Sequence, residues 1–255
     1  MSTEKEYSKS CVPEFMSKLQ ELNTLLCTYQ ENTFMPELWD AQSRISVLWE
    51  LATSPEEKYQ CIEIAAMLPE DFLRKTSLNQ LGFHAYEHNE FNYAAHAFMR
   101  SAQMGDIGAK NNFAYLLRKE LCDCSSFYAP LDLLKILQPG LKAKEPLSVV
   151  NTALVLALLL GTDLDWEVAD RLISCLDDIS GVASWWETIG KNGDQEGHLV
   201  HLWLLRHKLI TESPLGSSNE LFDDVCKVYR SVPAWLASVK AIENESTECT
   251  ESSPE

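Results

Sequence analysis

The sequence predicts an all-α protein, an α-solenoid of stacked helical hairpins, and three observations predict it. Apolar residues recur at helical spacing along most of the chain, as in Phe15, Leu19, Leu22 and Leu26, and again in Ile45, Leu48, Trp49 and Ala52. Alternating, strand-like runs are nearly absent. Separated stretches of the chain also repeat one another, which is the signature of an array of small helical units.

The helix ends follow from local chemistry. Glycines sit at joints (Gly105, Gly140, Gly161, Gly193), and prolines fall between helices or near their starts (Pro36, Pro55, Pro69, Pro130, Pro146, Pro214). Thr53-Ser54-Pro55-Glu56-Glu57 reads as a helix start: Ser54 is the N-cap, proline follows it, and two acids occupy the first turn. Asp163 to Asp165 followed by Trp166-Glu167 reads as another. About ten helices joined by short loops are expected.

The repeat is clearest when Gly105 is set on Gly193. Asp106 then falls on Asp194, Phe98 on Trp186, and Leu116-Leu117 on Leu204-Leu205. A weaker copy lies between them: Asn151-Thr152-Ala153-Leu154 matches Asn112-Phe113-Ala114-Tyr115 at a separation of 39. Lys144 stands there in place of the glycine. Gln80-Leu81-Gly82-Phe83 is an upstream echo. Ala94, Ala102 and Ala109 let helices approach, Phe91 and Phe98 fill the gaps between paired helices, and Gly105 takes a left-handed position after a helix. One hairpin cannot bury its own apolar face, so neighbours must stack.

At these residues the chain resembles the Sel1-like repeat family, a relative of the tetratricopeptide repeat. The resemblance rests on Leu81-Gly82, on Ala94, Ala97-Phe98, Ser101-Ala102, Gly105 and Ala109, and on Trp185-Trp186 with Gly193. Ala85 departs from the family's usual tyrosine, and Ile189-Gly190 from its alanine pair. The resemblance implies a short right-handed superhelix with a concave groove. The resemblance covers about residues 75–210, the expected repeats; around them the sequence is expected to give a disordered N-terminus over 1–10, a helical capping region over 11–74, a C-terminal capping helix over 211–240 and, from its acidic, serine-rich composition, a disordered acidic tail over 241–255.

Composition narrows function. Against 21 basic residues stand 38 acidic ones, a net charge of −17 over 255 residues. Such a chain repels phosphate backbones and anionic membrane surfaces, so neither nucleic acid nor membrane is the expected partner. The expected partner is a protein with a basic patch. The start MSTEKEYSKS has no basic segment leading into an apolar one, and the apolar run Val149 to Gly161 is too short to span a bilayer. The run Leu154 to Leu160 reads as a helix buried on most sides. A cytoplasmic protein is expected, with its irregularly spaced cysteines as reduced thiols. Cys122-Asp123-Cys124 is the close pair, and it lacks zinc-knuckle spacing.

No catalytic, cofactor or metal site is expected. His84 and His88 share a helix face, but the order around them is not that of a zinc hydrolase. His201 stands where the family has a core leucine and is expected to be buried and hydrogen-bonded. Adjacent residues on a helix turn by about 100°, so one of Trp185 and Trp186 enters the core and the other is partly exposed. The groove candidates are Tyr86, His88, Asn112, Tyr115, Asn151 and Trp185. The concave placement of Asn112 and Asn151 is implied by the family resemblance. The expected function is a protein–protein interaction scaffold that binds a partner in the groove. The alternatives are an immunity or antitoxin protein neutralising a basic toxin, and an enzyme whose site carries no recognisable motif.

Overall fold

The computed structural model describes residues 11–28, 40–177, 179–229 and 232–237. The expected disorder of residues 1–10 and 241–255 lies outside them. Among the described residues the chain is all-helical, with no strand, and no helix is long and apolar enough to cross a membrane. It divides into two compact units, Met1–Tyr128 and Ala129–Glu255, so the division falls inside the stretch expected to hold the repeats.

The first unit contains α1 (Cys11–Thr28), α2 (Ala41–Leu51), α3 (Pro55–Ala66), α4 (Asp71–Glu87), α5 (Phe91–Gln103), α6 (Ile107–Arg118) and a 3-10 turn (Asp123–Phe127). Each helix packs on the next, and α2 also meets α4 as α3 meets α5. The second unit contains α7 (Pro130–Lys142), α8 (Pro146–Leu154), α9 (Asp163–Ser174), α10 (Ser180–Lys191), α11 (Gln195–Arg206), α12 (Ser218–Val228) and the short α13 (Ala234–Ala237). There α8 meets both α9 and α10, and α9 meets α11. Contact with the next helix and the next but one fits a repeat in each unit.

Local rules explain the starts. Ser54 Oγ accepts the Glu57 N–H at 3.2 Å, and the Glu57 carboxylate accepts the N–H groups of Thr53 and Ser54 at 2.7 and 3.0 Å. This capping box satisfies donors that the first turn of α3 would leave open. The backbone bond from Thr53 leads the effects that hold the Glu57 carboxyl below its usual range. Helix α9 begins where expected, and its N-cap is Thr162, whose hydroxyl accepts the Asp165 N–H at 3.2 Å.

The ends share one joint. Gly105 and Gly193 have φ of +86° and +84°. In each case the following N–H reaches back five residues: Asp106 to the Ser101 carbonyl and Asp194 to that of Ile189, both at 3.3 Å. This is the Schellman ending, in which the left-handed residue lets the chain turn and recover the last carbonyls. Asp106 and Asp194 then cap the next helix through Ala109 N–H at 2.7 Å and Glu196 N–H at 3.0 Å. The middle copy keeps the joint without the glycine. Lys144 takes φ +57°, and the Glu145 carboxylate accepts the N–H groups of Leu147 and Ser148. Asn89, Glu120 and Lys208 make the same left-handed turn, each followed by a reach-back bond.

Two glycines mark where helices touch. A Cβ on Gly82 would lie 2.5 Å from the Phe98 ring, so α4 and α5 close only because that position has no side chain. A Cβ on Gly197 would lie 2.5 Å from the Cα and N of Gly190, a backbone-to-backbone approach of α10 and α11. The core of the second unit is built on three fully buried tryptophans, Trp166, Trp186 and Trp203. The run ending α8 differs from expectation. Residues Val155–Leu160 widen into π-helical turns closed by Gly161, and while Leu154, Val155 and Ala157 are buried, Leu159 and Leu160 are exposed. The expected C-terminal capping helix is a loop followed by α12, with α13 beyond it.

Candidate functional site

Four of the six groove candidates, Tyr86, His88, Asn112 and Tyr115, lie in the first unit, and Asn151 and Trp185 lie in the second. Within the first unit the fold brings two of them together. Tyr86, near the end of α4, and Tyr115, on α6, place their hydroxyls 3.4 Å apart, with ring centroids at 6.2 Å in an edge arrangement. The Phe91 ring stands 5.7 Å from that of Tyr86, and the Arg118 guanidinium lies 5.8 Å from the Tyr115 ring. Both tyrosines are half-buried, as is Asn112. A half-exposed tyrosine offers a rigid apolar ring with a polar tip, the combination that interfaces favour.

His88 caps the end of α4. It is exposed, bonds the His84 carbonyl through Nδ1 at 2.8 Å, and stacks on the His84 ring at 4.4 Å. His84 turns instead to Glu50 on α2, with Nε2 to carboxylate oxygen at 3.0 Å. The two imidazoles therefore hold a helix end and a helix pair. Among the described residues no group of three or more His, Cys, Asp or Glu side chains is placed to hold a metal ion.

In the second unit Trp186 is fully buried and Trp185 half-buried, the division expected of neighbours on a helix. Asn151, on α8, is 6% exposed.

The first unit also carries a cleft that sequence reasoning missed. It lies between α2 and α4, encloses about 310 Å³, and is lined by Trp49, Glu50, Phe83, His84 and Glu87 among others. Phe83 is 40% exposed there, while Trp49 is 3% exposed. Trp49 was legible only as a core residue, and it is one: Tyr93 meets it edge-on, and the Lys58 ammonium sits 4.8 Å above its ring. Lys58 also pairs with Glu90 at 2.5 Å, fastening α3 to the start of α5. Burial, helped by the nearby Tyr59, Glu90 and Glu56, pushes the Tyr93 hydroxyl up.

One serine–histidine pair has the look of a nucleophile and its base. His201 Nδ1 lies 3.0 Å from Ser213 Oγ, and Nε2 lies 3.2 Å from the Ala183 carbonyl. Nε2 must donate to that carbonyl, which leaves Nδ1 to accept the serine proton. His201 is 1% exposed, however, and Ser213 Oγ also accepts the Leu215 N–H at 3.1 Å. The pair latches the loop after α11 to the α10–α11 hairpin. Desolvation pushes the His201 pKa below its ordinary 6.5, against the raising effect of the Ala183 bond, so the neutral ring is the form the fold selects.

No family model matches the chain, and neither a curated protein nor a solved structure does.

Proposed function

We infer that this chain is a binding protein: a helical repeat of the Sel1-like kind that holds a partner protein on a face built from successive helices. The observation that carries this reading is the Tyr86–Tyr115 pair, drawn from two helices of the first unit and left half-exposed. Support comes from the neighbour-to-neighbour packing of each unit and from the shared joints at Gly105, Lys144 and Gly193. The net charge of −17 favours a partner with a basic surface, because complementary charge speeds encounter. The same charge suits the second reading, an immunity-type protein that neutralises a basic toxin. No reaction is proposed.

The test is a quantitative affinity capture with the tagged protein at about 50 and about 300 mM salt, between which the screening length shrinks by about half. A protein retained by the native chain and lost with Tyr86→Ala/Tyr115→Ala, but kept with the exposed second-unit variant Val228→Ala, supports the reading. Retention that ignores the tyrosines sinks the tyrosine face. A single basic protein whose retention collapses at high salt favours the immunity reading.

A further inference from the structure

In the first unit, at the start of the 3-10 turn, two thiols meet. Cys122 Sγ and Cys124 Sγ lie 3.4 Å apart, and Ser125 Oγ stands 3.3 Å from the Cys122 sulfur. Both cysteines are free. Their environments differ: Cys122 is 6% exposed, whereas Cys124 is half-buried and reachable from solvent. Asp123, between them, is gripped twice by Asn92 at the start of α5. Its N–H donates to Asn92 Oδ1 at 2.9 Å, and its carboxylate accepts from Asn92 Nδ2 at 2.7 Å. The backbone between the sulfurs is thus already held in a bend that points both side chains to one spot.

We propose that Cys122 and Cys124 form a dithiol exchange site that takes low-molecular-weight disulfides of the glutathione class, with Cys124 attacking and Cys122 resolving. In the first step the Cys124 thiolate attacks one sulfur of the small disulfide. An S–S bond forms to Cys124, the original S–S bond breaks, and one small thiolate leaves. In the second step the Cys122 sulfur, having given up its proton, attacks the Cys124 sulfur and expels the second small thiolate. The net change is two protein thiols and one small disulfide converted into one internal disulfide and two small thiols. The sulfurs must close from contact to a bond of about 2.05 Å, a short movement for two side chains one residue apart. The high local concentration of the resolving thiol makes the second step fast relative to the first.

Burial, the Cys122 thiol and Asp123 push the Cys124 thiol up to about 11, so the first step is slow at neutral pH. Cys61, deep in the same unit and pushed up to about 12, is an inert comparator, and the exposed Cys175 and Cys226 report that the reagent is active.

The experiment treats the reduced full chain with glutathione disulfide, quenches with acid, alkylates the remaining thiols and maps each cysteine by peptide mass spectrometry. The native chain should yield a Cys122–Cys124 disulfide, while Cys175 and Cys226 stop at mixed disulfides. In Cys122→Ser, and in Cys122→Ala as a second variant should serine disturb the buried site, Cys124 should hold the mixed disulfide at about tenfold the native level. In Cys124→Ser, Cys122 should remain a free thiol. Native chain that accumulates mixed disulfide at Cys124 as the Cys122 variants do overturns the proposal. So do two thiols that stay reduced while Cys175 and Cys226 react.

Discussion

Gly197 faces Gly190 across the α10–α11 hairpin so closely that a Cβ on Gly197 would lie 2.5 Å from the Gly190 Cα and 2.6 Å from the Trp186 carbonyl oxygen. Backbone atoms cannot swing aside as a side-chain tip can. Gly197→Ala should therefore cost about 3 kcal/mol, the upper end of overpacking, despite alanine's better helix propensity. Gly82→Ala meets a buried ring rather than backbone and should cost about 1–2 kcal/mol. Urea denaturation of both variants checks the order, and equal midpoints would refute it.

Lys144 occupies a left-handed position that lysine fills at a cost of about 1–2 kcal/mol. Replacing it with glycine removes that strain and gives back part of the gain as unfolded-state entropy. Lys144→Gly should raise stability by about 0.5–1 kcal/mol. Gly105→Ala, at φ +86° with open space around it, should lower stability by about 1 kcal/mol through backbone strain alone. Thermal melts of the two variants should move in opposite directions.

His201 makes stability depend on pH. The unfolded chain takes up a proton near the ordinary 6.5, while the folded chain resists until a lower pH. Stability from this residue is therefore full above 6.5 and is lost as pH falls through the lowered native value. Denaturation midpoints from about pH 7.5 to about pH 5 should decline more steeply in the native chain than in His201→Gln. Parallel curves would remove His201 from the account.

Ser54→Ala should lower stability by about 1 kcal/mol by stripping the capping box from α3. Ser54→Asp should restore most of it, since aspartate caps as well as serine does. Denaturation of the pair separates loss of the cap from any other effect of the change.

What the sequence revealed depended on how local the cause was. Ser54 and Gly105 announce their roles because a hydroxyl before proline and acids, and a glycine after an apolar helix, have few other uses. The joints at Asn89, Glu120 and Lys208 were not legible, since no glycine marks them and the reach-back bonds alone make the turn worthwhile. Nor was the register of the second unit. Three helices, α8, α9 and α10, lie between the joints at Lys144 and Gly193, where α6 and α7 suffice between Gly105 and Lys144. Asn151 illustrates the other limit: matching Asn112 in sequence did not give it the same exposure, because burial is decided by neighbours distant in the chain. Tyr86 and Tyr115 were both named, but their meeting comes from the packing of whole helices.

The neighbour-to-neighbour contacts within each unit have a kinetic consequence. Helix packing partners in each unit include those next in the chain and next but one, so much of each core forms from segments of low sequence separation. Chains with low contact order close small loops first and cross low entropic barriers, and their folding is correspondingly fast. During synthesis, α4 and α5 can seat Phe98 against Gly82 before the second unit has emerged from the ribosome. Its exposed apolar faces then wait only for the next helix to emerge, which shortens the interval in which a nascent chain is vulnerable to aggregation.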